Sequence, residues 1–304
     1  MLSMSEKPTI PTSASPVATP STDQIHADQI FDAQRRKILQ LRAARRRARL
    51  KAPQFILDHI AQDMADRLLM IKRRFNKALL IAPDGFETLI QPYLHPDKIP
   101  ASLIRTPLSQ LGPTLKGTSG FDLIILCLAH HSENNPSGLL KALKVHMVDD
   151  GHIMTVCLGG NTLSALRASL YETDQKHFDG IMPRLHPMMD IQGNVQLLAH
   201  CGFNLTVGDR DKINVTYKKL STLIDDLRDI GETYTLNSKR VSNTTRQFWH
   251  DVETNIKNED KRINIEYDIL WASGWTPHHS QQKPLKPGSA KHHLSEAFKP
   301  KNKA

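Results

Sequence analysis

The segment from Phe121 to Leu170 constrains the fold more than any other part of the chain. It begins with the predicted strand Phe121 to Leu128, which contains most of the longest apolar stretch of the chain, Leu123 to Ala129, and such a stretch is typical of a strand buried on both faces of a parallel sheet. After it the pattern predicts a helix over Ser137 to Met147, a turn at Asp149-Asp150-Gly151, a strand over His152 to Leu158 and a helix over Thr162 to Glu172. This order predicts half of a nucleotide-binding α/β sheet.

Two further strands are predicted before this segment. Lys77 to Ile81 is a short apolar run that ends at the turn sequence Pro83-Asp84-Gly85. Ala101 to Thr106 is a second run, and Pro107 stops it. The stretch between Pro107 and Gly120 is rich in turn-forming residues, so we expect any strand there to be brief.

The C-terminal half adds an antiparallel element. Phe203 to Val207 and Ile213 to Tyr217 alternate between apolar and polar residues, and Gly208-Asp209-Arg210-Asp211 separates them. This spacing predicts a hairpin at the sheet edge. The predicted fold class is therefore α/β, with a Rossmann-like, mostly parallel sheet, a C-terminal antiparallel hairpin and additional N-terminal helices.

The positive charge of the chain is concentrated in one segment, Arg35 to Lys51. The net charge is +9, and this segment holds nine basic residues and no acidic one, so charges balance elsewhere. Apolar residues recur in it at helical spacing and predict a basic helix with a narrow apolar stripe toward the sheet: Phe31, Ile38, Leu41, Ala44 and Ala48. Covering the sheet and docking on a protein partner are the favoured roles. RNA and an anionic membrane surface remain alternatives, although few aromatic residues interleave the cations.

Composition divides the chain into four parts. We expect a disordered leader over 1–27, two helices over 28–75, a sheet domain over 76–275 with an insertion near 161–190, and an extended basic tail over 276–304. No run approaches the roughly 20 apolar residues of a membrane helix, so no transmembrane segment is predicted. The absence of a secretion signal and of CxxC spacing predicts reduced cysteines in a bacterial-type cytoplasm, with the mitochondrial matrix as the alternative.

Short motifs follow one another in a defined order from about Ile30 to about Phe298. They include Ile30-Phe31-Asp32, Phe121-Asp122-Leu123, Gly159-Gly160-x-Thr162-Leu163, His186-Pro187, Gly202-Phe203, Gly231-Glu232, Gly274-Trp275 and Lys283-Pro284. With these motifs the chain resembles the class I S-adenosylmethionine-dependent methyltransferases. In narrower detail it is similar to the family that includes mitochondrial complex I assembly factors and their bacterial relatives.

This resemblance implies a function and its alternative. The implied activity is methyl transfer from S-adenosyl-L-methionine to a protein or another macromolecule, and the residues 76–275 would form the methyltransferase-like domain. The alternative is a catalytically silent assembly or scaffold factor that keeps the fold and has lost cofactor binding.

The resemblance also places the cofactor loop directly after the first strand. The implied cofactor contacts are Ala82, Asp84, Gly85 and Thr106. Relatives carry two or three glycines in this loop, whereas only Gly85 remains here. Thr106 stands near the end of the second strand, where an acidic residue would hold the ribose hydroxyls. Losing such a contact lowers affinity by about one to two powers of ten, so the sequence predicts a weakened cofactor site.

Candidate residues for the chemistry follow the central strand and the insertion. His131 matches a Leu-x-x-His pattern of the family and is the candidate catalytic residue, with a solvent-exposed loop histidine as the other interpretation. The resemblance places Asn161, Arg167, Arg184 and His186 on the substrate side. No metal-ligand cluster and no phosphate-binding loop is predicted.

Overall fold

A computed structural model describes residues 29–50, 54–98, 100, 102–237 and 244–282. The predicted leader and most of the predicted tail lie outside these residues. The strands are β1 (Lys77–Ile81), β2 (Ser102–Thr106), β3 (Phe121–Cys127), β4 (Met147–Gly159), β5 (Asn204–Tyr217) and β6 (Ile263–Trp275). The helices are α1 (Ala33–Leu50), α2 (Phe55–Met70), α3 (Phe86–Ile90), α4 (Leu111–Leu115), α5 (Pro136–Val145), α6 (Ser164–Phe178), α7 (Ile191–His200), α8 (Leu220–Ile230) and α9 (Arg246–Ile256).

One sheet with the strand order β2-β1-β3-β4-β6-β5 organises the molecule. Strands β2, β1, β3 and β4 are parallel, and β6 runs antiparallel to both β4 and β5. The prediction that Lys77 to Ile81 lies inside a parallel array beside Phe121 to Leu128 is confirmed, because Ala78 pairs with Leu123 and Lys77 pairs with Ser102. The described residues between Pro107 and Gly120 form the short helix α4 and no strand.

Apolar side chains cover both faces of the sheet. One cluster packs α2, α6, α8 and α9 against one face, and a second cluster packs α4, α5 and α7 against the other. Strand β3 is buried along its whole length, as the apolar stretch that begins at Leu123 predicts. None of the helices in the described residues is long and apolar enough to cross a membrane.

The predicted hairpin of 203–207 and 213–217 is wrong. A single strand, β5, runs through the polar stretch and pairs with β6 at almost every residue. Gly208 lies inside this strand, opposite Ala272. A glycine is needed at this position because a side chain would collide with Val195 and Ile191 of α7. The polar residues that resembled a turn are tolerated since β5 is an exposed edge strand. The antiparallel pair is therefore β5 with β6, and α8 and α9 lie between them in sequence.

Strand β4 also differs from its prediction. It begins at Met147, so the predicted turn at Asp149-Asp150-Gly151 lies within the strand. Asp150 has a φ of 57°, and the pairing of β3 with β4 shifts register between Phe121 and Leu123. The turn signal therefore marks a bulge in a continuous strand rather than its start.

The packed face of α1 is not the predicted apolar stripe. Ile38 and Leu41 are 48% and 43% exposed, whereas Arg36 and Arg47 are 6% and 8% exposed. Ala43, which lies on the same face as these two arginines, is buried as well. The helix packs on the sheet edge through arginine side chains, because these side chains donate hydrogen bonds to backbone carbonyls of the loops there.

A buried histidine in β4 predicts a pH dependence of stability. His152 is 3% exposed between the rings of Phe75 and Trp275. Burial lowers its pKa to about 4, and the smaller influence of the Gly274 backbone opposes this shift. Because the unfolded chain binds a proton near pH 6.5 and the folded chain does not, stability falls as the pH decreases from about 6.5 toward 4.

Between pH 7 and pH 5, we expect the free energy of unfolding of His152→Phe to fall by about 2 kcal/mol less than that of the unmodified protein. Urea unfolding at the two pH values measures the difference. His200→Phe, which replaces an exposed histidine, is the matched control and should leave the pH dependence as it is. An equal pH dependence in His152→Phe and the unmodified protein would contradict the assignment.

Candidate functional site

The candidate site lies where the parallel strands end. The loops that follow β1, β3 and β4 meet at the carboxyl edge of the sheet, where ligands of open α/β folds bind. The structure therefore brings the predicted cofactor loop close to the loop that carries His131. The segment between α6 and α7 reaches the same edge, because Met189 forms a bridge with Gly159.

The loop after β1 is a tight turn into α3. Gly85 has a φ of 86° and begins the helix, a backbone conformation that favours glycine. Phe86 is 1% exposed and packs into the core, so its ring does not occupy the loop. Asp84 is exposed, and Ala82 donates its backbone N–H to the Thr106 carbonyl at 3.4 Å.

The space beside this loop is small. A cavity of about 130 Å³ is bounded by Ala82, Asp84, Arg105 and Thr106, among others. Small-molecule sites usually enclose at least about 300 Å³. The Thr106 hydroxyl already donates to the Pro107 carbonyl or interacts with the Thr114 hydroxyl, so it does not replace the missing carboxylate. In the described conformation these residues do not fit S-adenosylmethionine.

Arg47 of α1 holds the loop after β1 through hydrogen bonds. Its guanidinium donates to the backbone carbonyl of Asp84 and, at 2.6 Å, to that of Asp229 at the end of α8. Burial lowers the pKa of Arg47, and the nearby carboxylates of Asp84, Asp229 and Glu87 oppose that shift. One side chain of the basic helix therefore ties the predicted cofactor loop to a neighbouring helix.

Arg36 does the same for the loop after β3. Its guanidinium donates to the carbonyls of Ala129 and Ser132, each at 3.0 Å, and pairs with Glu133 at 2.5 Å. The basic segment appeared in the sequence as a solvated surface, so these contacts were missed. The spacing of Arg36, Ala43 and Arg47 on one helical face was the only signal that could have indicated them.

A buried carboxylate joins two of the predicted site histidines. His131 Nε2 lies 2.9 Å from Glu232 Oε2, and His186 Nε2 lies 3.7 Å from the same oxygen. The two imidazole rings are 6.0 Å apart, and Phe31 packs edge-on against His186. The candidate catalytic residue and one substrate-side residue are therefore in one cluster, which also includes Glu232, a residue that sequence reasoning did not select as a site residue.

The electrostatics of this cluster favour charge on both partners. Burial by itself raises the pKa of Glu232, but His131 and His186 outweigh it and hold that pKa well below its usual range. Burial likewise lowers the pKa of His186, yet the Glu232 carboxylate raises it more. No hydrogen bond reaches His131 Nδ1 from the described residues. Such an arrangement can hold a proton on an imidazole and orient that ring.

The other predicted substrate-side residues have different surroundings. Asn161 is exposed and donates its backbone N–H to the buried carboxylate of Asp268 at 2.8 Å. Arg167 is half-buried on α6, and its charge opposes protonation of His186. Arg184 is buried in an ion pair with Asp174, so its guanidinium is not directed at the cluster. The space beside Glu232 and His186 is only about 10 Å³.

Comparison with known proteins supports the resemblance that the motifs predict. No family model matches the chain. The arginine-hydroxylase NDUFAF5, mitochondrial, of Dictyostelium discoideum is 33% identical over 180 residues, which cover 58% of this chain and 41% of that protein. The human protein of the same name is 29% identical over 173 residues, covering 56% and 50%. The chain thus spans about half the length of these curated relatives.

More distant similarity extends to named methyltransferases. The malonyl-[acyl-carrier protein] O-methyltransferase of Xylella fastidiosa is 26% identical over 237 residues, covering 75% of each protein. Among solved structures, the N-methyltransferase NodS of Bradyrhizobium japonicum covers 74% of this chain and 98% of its own, with a TM-score of 0.34 and 11% identity. The sequence matches confirm the resemblance that the motifs predict, and their names include NDUFAF5 proteins and methyltransferases.

Proposed function

We infer that this protein functions within the S-adenosylmethionine-dependent methyltransferase class and acts on another protein as an assembly factor. The strand order and the NDUFAF5 and O-methyltransferase relatives support the class. The motifs similar to those of complex I assembly factors support a protein target. Because the chain spans only about half of the NDUFAF5 relatives, the activity named for them is not transferred to it.

Two activities are compatible with this class, methyl transfer and binding of a protein without methyl transfer. The state of the predicted cofactor loop favours binding alone. Arg47 donates a hydrogen bond to the Asp84 carbonyl in this loop, and the cavity beside the loop is only about 130 Å³. Methyl transfer requires that about 300 Å³ open beside this loop for a ligand. The relatives named as methyltransferases keep methyl transfer as the second candidate.

Calorimetric titration of the full chain with S-adenosylhomocysteine and S-adenosylmethionine tests the choice. We expect no saturable heat with either ligand up to about 1 mM. A micromolar dissociation constant would overturn the proposed loss of cofactor binding and favour methyl transfer. Asp84→Ala is then the decisive variant, because unchanged binding would remove Asp84 from the proposed contacts.

The partner and the compartment are part of the same proposal. We place the protein partner on the basic helix, since the arginines of α1 that do not hold the sheet edge remain at the surface. All three cysteines are free and buried, which is consistent with either a bacterial cytoplasm or a mitochondrial matrix. We favour the cytoplasm and keep the matrix as the alternative because the NDUFAF5 relatives are named mitochondrial.

A further inference from the structure

A groove of about 860 Å³ lies on the surface between α1, α8 and α9, away from the sheet edge. Its wall on α1 is a single helical stripe: Arg35, Leu39, Arg42 and Arg46. This stripe is different from the buried face that carries Arg36 and Arg47. The groove is therefore formed by a face of the basic helix that does not pack against the loops at the sheet edge.

The groove is cationic, and part of its charge is uncompensated. Arg42 of α1 and Arg246 of α9 have no ion pair or side-chain hydrogen bond within the described ranges, although both line the groove. Of the other lining residues, Arg46 pairs with Asp229 and Glu253 pairs with Lys257. Two arginines on opposite walls are thus available for an anionic ligand.

The floor and rim of the groove are apolar. Leu39, Leu220 and Ile224 line it, together with Trp249, which is 38% exposed. Phosphates of a nucleic acid would satisfy the arginines but would leave the aliphatic floor unused, and a flat membrane surface would not enter a groove between helices. An amphipathic segment matches both features.

The dimensions indicate a helix. The stripe from Arg35 to Arg46 is twelve residues long, and the eleven rises between its ends give about 16 Å, which is the length of a partner helix of about three turns. Helices that bind in grooves place apolar residues at i, i+3, i+4 and i+7 on the floor. Acidic residues at the edges of that face would meet Arg42 and Arg246.

We propose that this groove docks an acidic amphipathic helix of the partner protein. The inference rests on the proposed action on a protein, and it adds the surface and the chemistry of the segment that binds there. It does not depend on whether the cofactor loop holds S-adenosylmethionine.

Fluorescence anisotropy with a labelled 15-residue peptide tests the proposal. The peptide carries leucines on one helical face and glutamates beside them, and a permuted peptide of equal composition is the negative probe. We expect saturable binding of the first peptide alone. We also expect Arg42→Glu with Arg246→Glu to weaken it at least about ten-fold, because charge reversal replaces attraction with repulsion.

The matched control reverses two exposed arginines outside the groove. Arg45→Glu with Arg49→Glu makes the same change in net charge and should alter the affinity by less than about two-fold. Equal losses in both double variants, or no binding of the peptide, would overturn the proposal. Tighter binding of a 15-residue oligouridylate, or of phosphatidylglycerol vesicles, than of the peptide would overturn it as well. Circular dichroism checks that each variant is folded, and the S-adenosylhomocysteine titration separately tests the proposed function.

Discussion

Replacing Arg184 with methionine is expected to lower the free energy of unfolding by about 3 to 5 kcal/mol. Asp174 is fully buried, and Arg184 Nε and Nη2 donate to its Oδ1 at 2.8 and 2.6 Å. The guanidinium also lies 4.4 Å from the centre of the Phe248 ring. Methionine keeps the apolar contact but leaves the carboxylate buried without its cation, which is among the most costly changes in a protein interior.

Urea unfolding at neutral pH measures this effect, and an exposed pair provides the control. Arg74 and Asp97 have side chains that are 75% and 55% exposed, so Arg74→Met should cost less than about 1 kcal/mol. The double variant of Arg184→Met with Asp174→Asn should recover part of the loss, since no charge is then left buried. A loss below about 1 kcal/mol for Arg184→Met would show that the pair is not buried as described.

Arg47→Met is expected to have the second largest effect, a loss of about 2 to 4 kcal/mol. The substitution removes the donors for the carbonyls of Asp84 and Asp229, and the buried methionine side chain offers no replacement. Each carbonyl left without a partner costs about 1 to 3 kcal/mol, with the lower value for the Asp84 carbonyl because Asp84 is exposed.

The control for this variant lies on the same helix. Arg45 is exposed, so Arg45→Met should change the free energy of unfolding by less than about 0.5 kcal/mol. Hydrogen exchange of the loop at 82–86 should quicken in Arg47→Met alone, because that loop loses its tie to α1. Equal stability of the two variants would mean that Arg47 does not hold the loop.

Much of the sheet could be predicted from local sequence. The apolar stretches that follow Lys77 in β1 and Asp122 in β3 indicate strands covered on both faces, and the structure pairs them in parallel. Strand β5 was predicted wrongly because Gly208 and the polar residues after it form an apparent turn. Gly208 is present because a side chain there would collide with Val195, and the polar residues are tolerated because β5 is an exposed edge strand. Neither of these causes is visible in local sequence.

The site was predicted in part. His131 and His186 were selected from motifs, but their meeting at Glu232 depends on chain segments that are about 50 to 100 residues apart. The buried role of Arg47 was missed because arginine is usually solvated, and helical periodicity alone does not show which face meets acceptors. Local patterns thus indicate the elements, whereas backbone carbonyls supplied by distant loops decide which side chains are buried.

A crystal structure of the full chain grown with saturating S-adenosylhomocysteine tests the central claim most directly. We predict that the Arg47 guanidinium stays on the carbonyls of Asp84 and Asp229 and that no ligand density appears beside Thr106. Ligand bound between Gly85 and Thr106, with Arg47 displaced from the loop, would contradict a closed cofactor cleft and would identify the protein as a cofactor-binding methyltransferase.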